Sequence, residues 1–126
     1  MASVTIYEAV GGEKTFHRLV AAFYEGVATD PVLRPLYPED LTESREHLAL
    51  FLAQYFGGPP RYSEKRGHPR LRMRHLPFAI GPAERDAWLA HMGRAVDTVG
   101  IASPAREAML VYFRDAANFL VNRPET

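Results

Sequence analysis

Between Glu13 and Thr29 the apolar residues Phe16, Leu19, Val20, Phe23 and Val27 recur every three or four positions, which predicts a long helix with Tyr24 bordering its inner face. Three more stripes of this kind follow. The second predicts a helix from about Thr42 to Phe56, with Leu48, Phe51, Leu52, Tyr55 and Phe56 on the buried side, stopped by Gly57-Gly58-Pro59-Pro60. A third opens at Gly81-Pro82 and runs to about Val99, with Trp88, Met92, Ala95, Val96 and Val99 inward and Gly100 behind it. The fourth runs from Pro104 to about Val121, with Met109, Tyr112, Phe113, Ala116 and Leu120 on one face and Ser103-Pro104 as cap and first-turn proline.

The stretches between these helices are short and punctuated. Thr5 to Glu8 has the Ser/Thr-x-x-Glu form of a capping box, and Gly11-Gly12 ends the short helix it starts. Asp30-Pro31 opens a short connecting helix, which Pro35 and Pro38 cut off at a corner around Tyr37. Residues 57–69, GGPPRYSEKRGHP, lack usable periodicity and predict a loop with at most a turn or two. Arg70 to Leu76 alternates like a strand, but no partner strand is visible, so a short helix closed by Pro77 is expected. The fold class expected is all-α, in one domain spanning residues 1–126.

Composition narrows the function by exclusion. Fifteen basic and fifteen acidic residues cancel, so the overall field gives no reason to bind nucleic acid or an anionic membrane. The absence of cysteine excludes disulfides, thiolate metal sites, iron–sulfur clusters and covalently attached haem, and suits a reducing cytoplasm. The N-terminal stretch has no signal-like character and no segment is apolar enough for a membrane span, so a soluble, unexported cytoplasmic protein is expected.

The candidate chemistry centres on histidine. None of His17, His47, His68, His75 and His91 belongs to a His-x-x-x-His or Glu-x-x-His pair, which disfavours a multi-ligand metal site but leaves a site needing one protein ligand. His75 follows Arg70, Arg72 and Arg74, cations suited to the carboxylates of a haem. Residues 61–75 hold six basic side chains and one acidic, +5, against −5 for the remainder. A solvated basic loop accounts for that asymmetry too. A nucleic-acid patch would need a helix-turn-helix or an aromatic-bearing sheet, and neither is visible. Tyr24, Tyr37 and Trp88 sit on or beside apolar faces, and each carries a polar hydrogen that needs a partner when buried. Singly, each is an ordinary core aromatic.

Taken together in order, YEAVGG, FYEGVATDPVLRPLYPEDL, FLAQYFGGPPRYSEKRGHPRLRMRHLPF and ERDAWL resemble the group II truncated haemoglobins, over nearly the whole chain. The resemblance implies a two-over-two helical sandwich around one haem b. His75 would be the proximal iron ligand, with Pro77 stopping its short helix. The distal side would be formed by Tyr24, Tyr37 and Trp88, with Ser44 at the usual distal-histidine position and Leu48 and Phe51 beyond it. A tyrosine at position 37 departs from the phenylalanine of many globins. His47 lies about 100° around the helix from Leu48. Haem contacts would come from Tyr62 and Arg74, more weakly from Arg70 and Arg72, and from Leu52, Phe56, Met73 and Phe78.

The implied function is binding of dioxygen, carbon monoxide, nitric oxide and similar small ligands, with the three donors favouring slow oxygen release. That points to nitric oxide dioxygenase-like or peroxidase-like chemistry more than to oxygen storage or transport. A reductase is an expected partner, docking on Arg61, Lys65 and Arg66, and the protein would be a monomer or homodimer without nucleic-acid or membrane partners. The alternative from another class is a haem-free helical interaction module with a basic docking loop.

Overall fold

The computed structural model describes residues 4–123, and among these every regular element is helical. The elements are α1 (Ile6–Val10), α2 (Glu13–Ala28), a 3-10 turn (Arg34–Leu36), α3 (Thr42–Tyr55), α4 (Arg61–Arg66), α5 (Leu71–His75), α6 (Pro82–Val99) and α7 (Ala105–Leu120). None of these helices is long and apolar enough to cross a membrane.

The helix ends follow the local chemistry. Thr5 Oγ1 accepts the Glu8 N–H at 3.1 Å, and Gly11 closes α1 at φ +109°, a left-handed conformation that glycine adopts freely. Glu84 accepts the Gly81 N–H at 2.7 Å behind Pro82, the first residue of α6. At α7 the cap differs from expectation: helix begins at Ala105, one residue after Pro104, and the Ser103 hydroxyl donates to the Glu107 carboxylate instead of capping a backbone N–H.

The long helices form two pairs, α2 with α3 and α6 with α7, joined through α2 against α6. Phe16, Leu19, Phe23 and Val27 of α2 are at most 0 % exposed and meet Met92 and Val96 of α6 in the core. Burying side chains of this size stabilises by roughly 1.5–3 kcal/mol each before conformational entropy is counted. Residues of α3, α6 and α7 face a common space between the pairs, so apolar positions such as Leu48, Phe51 and Trp88 are only half-buried. Tyr55, expected on the buried side of α3, is 54 % exposed. The buried positions there are Leu52 and the small residues Ala49 and Ala53, which let α2 approach.

The segment expected to be a loop contains α4. The Gln54 side chain accepts the Ser63 N–H at 2.9 Å and donates to the Ser63 hydroxyl at 2.7 Å, satisfying the first turn. Arg61 pairs with Glu13 and Lys65 with Glu46, so α4 is held to both α2 and α3. The Arg70–Leu76 segment is helical over Leu71–His75, entered through a left-handed Arg70 at φ +46° whose N–H bonds His68 Nδ1 at 3.1 Å.

Candidate functional site

A cavity of about 530 Å³ lies between α3, α5, α6 and α7, in the size range of cofactor and ligand sites. Tyr24, Tyr37, Ser44, Leu48, Phe51, Leu52, Tyr62, Arg74, His75, Phe78 and Trp88 all line it, although they come from positions 24 to 88 of the sequence. Four other candidates do not line it. Phe56 is buried in the core against Phe16 and Phe113, Arg70 forms the start of α5, Arg72 lies over the Phe119 ring, and Met73 is 55 % exposed.

His75 is the last residue of α5, and its Nδ1 lies 2.6 Å from the Leu71 carbonyl oxygen. A carbonyl only accepts, so Nδ1 carries the proton and Nε2 keeps its lone pair. Asn122 braces the chain just beyond: it donates to the Phe78 carbonyl at 2.9 Å and accepts the Ile80 N–H at 2.9 Å. This brace joins the segment after α7 to the segment after α5, a long-range contact that no local sequence signal announces.

The second polar group of the cavity joins three elements. Tyr24 of α2 and Tyr37 of the corner meet edge to face at 5.5 Å between centroids. Their hydroxyls influence each other electrostatically, with Ser44 acting on Tyr24 and Trp88 on Tyr37. The indole N–H can only donate, so any bond it makes with Tyr37 ends on the phenol oxygen. Burial raises the Tyr24 hydroxyl far above the usual tyrosine range, with the neighbouring Tyr37 adding to the effect. Burial also pushes Tyr37 up, to about 12, against the opposing pull of Tyr24 and Trp88. Both tyrosines are therefore neutral donors at any physiological pH.

The corner that carries Tyr37 is held twice. Arg34 Nη1 donates to the Pro38 carbonyl at 2.9 Å and Nη2 to the Glu39 carbonyl at 2.7 Å. Asp30 accepts the Val32 N–H at 2.7 Å and, through Oδ2, meets His91 Nε2 of α6 at 2.6 Å, with both side chains largely buried. The His91 bond is the main reason the Asp30 carboxyl titrates below its ordinary range. Trp88 lies one helical turn before His91, so one hydrogen bond sets the corner against the helix that bears the tryptophan. Sequence periodicity gave Asp30 only a capping role and His91 none.

At the cavity mouth, Arg74 donates to the Arg66 carbonyl at 3.0 Å, while its Nε is buried without a hydrogen-bond partner. His47, expected to turn away, instead lines the cavity and bonds Arg66 through Nδ1 at 3.0 Å. Burial and the adjacent Arg66 and Lys65 lower its pKa. His68 bonds backbone and His17 approaches Glu13 at the surface, outside the cavity lining. An apolar cavity with the His75 Nε2 lone pair and an unpartnered arginine N–H fits an iron porphyrin bearing acidic side groups.

Comparison with known proteins identifies the relatives of this fold. Residues 5–122 match the bacterial-like globin family. The chain is 47% identical over 119 residues to the group 2 truncated haemoglobin YjbI of Bacillus subtilis, covering 94% of this chain and 89% of that one. Among solved structures, the haemoglobin of the thermophilic phototroph Chloroflexus aurantiacus superposes with a TM-score of 0.95 at 60% identity, covering 96% of this chain and 100% of the other. The group II truncated haemoglobin of Bacillus anthracis gives a TM-score of 0.97 at 42% identity, over 100% of this chain and 97% of that chain.

Proposed function

The chain belongs to the bacterial-like globin family, as a truncated haemoglobin of group II, and we propose that it holds one haem b through His75 and binds dioxygen and other diatomic ligands beneath Tyr24, Tyr37 and Trp88. The observation that carries this is the sharing of one cavity by a histidine with a free Nε2 lone pair and a connected set of neutral donors. When bound, the haem supplies an iron that accepts a diatomic ligand and exchanges electrons.

The protein's own part has three elements. His75 would hold the iron through Nε2, and its bond to Leu71 fixes the orientation of the ring. Arg74 and Tyr62, both on the cavity wall, would hold a propionate, Arg74 through its guanidinium with the unpartnered Nε. Tyr24 and Trp88 both act on the Tyr37 hydroxyl, and Tyr37 would serve as a donor to a ligand in the cavity. Ser44 is engaged with Tyr24 and helps hold that arrangement.

A donor to a ligand carrying negative charge contributes roughly 1.5–3 kcal/mol, which slows dissociation by about ten- to a hundredfold. Slow release suits redox use of the ligand, nitric oxide removal or peroxide reduction, better than oxygen delivery. The test is stopped-flow oxygen dissociation from the reduced, haem-loaded protein. Removal of the Tyr37 hydroxyl as Tyr37→Phe is expected to accelerate release within that range, and an unaltered rate would contradict the role given to the cluster.

A further inference from the structure

A second cavity, of about 450 Å³, opens between α1, the start of α2, the α6–α7 connection and the first turn of α7, and it shares no lining residue with the cavity of His75. Its apolar wall comes from Ile6 and Val10 of α1, Val99 and Ile101 at the connection, and Ala105 and Ala108 of α7. Three hydroxyls line it as well, and each is already engaged. Thr15 Oγ1 donates to the Val10 carbonyl at 2.7 Å, Thr5 Oγ1 bonds Glu8, and the Ser103 hydroxyl donates to the Glu107 carboxylate. Arg18 of α2 completes the polar part of the wall. It is exposed, and among the described residues it has neither an ion-pair nor a hydrogen-bond partner.

The wall thus offers apolar area and one open cation. Sugars and polyols need several open donors and acceptors, which engaged hydroxyls do not supply. A phosphate dianion would meet a single guanidinium and the repulsion of Glu8 and Glu107, which Thr5 and Ser103 hold close by. We propose that this cavity binds a free fatty acid of medium chain length, with its tail along the apolar wall and its carboxylate on the Arg18 guanidinium. A guanidinium takes a carboxylate through two parallel N–H donors. An arginine stem lies along apolar surface while its head stays in water, so the pair forms at the rim without burying charge. One cation, unlike a polybasic cluster, gives an anionic bilayer little to hold, which favours the free acid over a membrane lipid. A chain seated here spans α1 and the α6–α7 corner, so occupancy stabilises the fold by mass action. The site stands independently of the haem reading.

The experiment titrates dodecanoate, below its micellar range, into the isotope-labelled, haem-loaded carbon monoxide adduct and follows amide NMR shifts and the thermal midpoint, with dodecanol as the uncharged control. Saturable shifts centred on Val10, Ile101 and Ala108 and a raised midpoint are expected. Dodecanol should bind about tenfold or more weakly, for want of a charge-assisted bond. Arg18→Gln should lower dodecanoate affinity by the same factor and leave dodecanol unchanged. Ala108→Leu, which fills the cavity from an exposed helix position, should weaken both. Shifts gathered around His75 instead, the absence of saturable binding, or a dodecanoate affinity unchanged in either variant would overturn the site. Equal wild-type affinities for dodecanoate and dodecanol would overturn the role of Arg18 and with it the fatty acid. The adduct is recorded beforehand, so a failure of the haem assignment shows separately from a failure of this site.

Discussion

Tyr37 and Trp88 divide one task between a donor and its support. Because Trp88 acts on the Tyr37 hydroxyl, Trp88→Phe is expected to act partly by letting the tyrosine rotate, and to speed oxygen release by about tenfold, the lower end of a charge-assisted bond. Stopped-flow kinetics on the double variant with Tyr37→Phe should then give less than the product of the single effects, since coupled partners are not additive. Independent, multiplying effects would mean that each side chain reaches the ligand alone. Arg74 makes a separate prediction. Its buried, unpartnered Nε should receive an acidic group, so Arg74→Leu is expected to hasten haem loss to an acceptor globin by about tenfold or more. An unchanged loss rate would place the propionate elsewhere.

At the scale of elements, α2 and α6 approach closely at Gly26, where an added Cβ would sit 2.2 Å from His91 Nδ1. Gly26→Ala therefore has to displace the ring that holds Asp30, a strain of about 1–3 kcal/mol, and should lower the thermal midpoint by several degrees. Adding His91→Ala removes the obstructing ring, so the double variant should lose less than the sum of its parts in thermal unfolding. Additive losses would contradict the close contact. The four long helices were legible because an amphipathic stripe records which face is buried, and their observed ends lie within a residue or two of the sequence reading. Helix α4 was not legible, since its first turn is satisfied by Gln54 and its sides by Glu13 and Glu46, partners 9 to 48 residues away. Periodicity also could not separate a core-facing position from a cavity wall or a helix edge. That is why Leu48 and Tyr55 were read alike although one lines the cavity and the other is exposed.

For the whole molecule, the zero net charge conceals an organised separation, with the basic segment 61–75 anchored to acidic side chains of α2 and α3. His47 lies within that basic region, and its lowered pKa makes stability depend on pH. The folded protein disfavours protonated His47, so the unfolded chain binds more protons as pH falls through the usual histidine value of 6.5. Stability from this group is complete above that value and declines below it until the lower folded pKa is passed. Thermal midpoints between pH 7 and 5 should accordingly fall less steeply for His47→Gln than for wild type, and parallel slopes would exclude His47 as a source. The cavity, its donors and the brace at His75 converge on one claim, a haem held by that histidine. Its most direct test is the visible spectrum of the dithionite-reduced protein with and without carbon monoxide, for wild type and His75→Gly. A stoichiometric Soret band and carbon monoxide adduct in wild type, with the variant losing normal coordination until imidazole is added, is the predicted result. A wild type that takes up no stoichiometric haem, or a His75→Gly spectrum identical to wild type without imidazole, would contradict it.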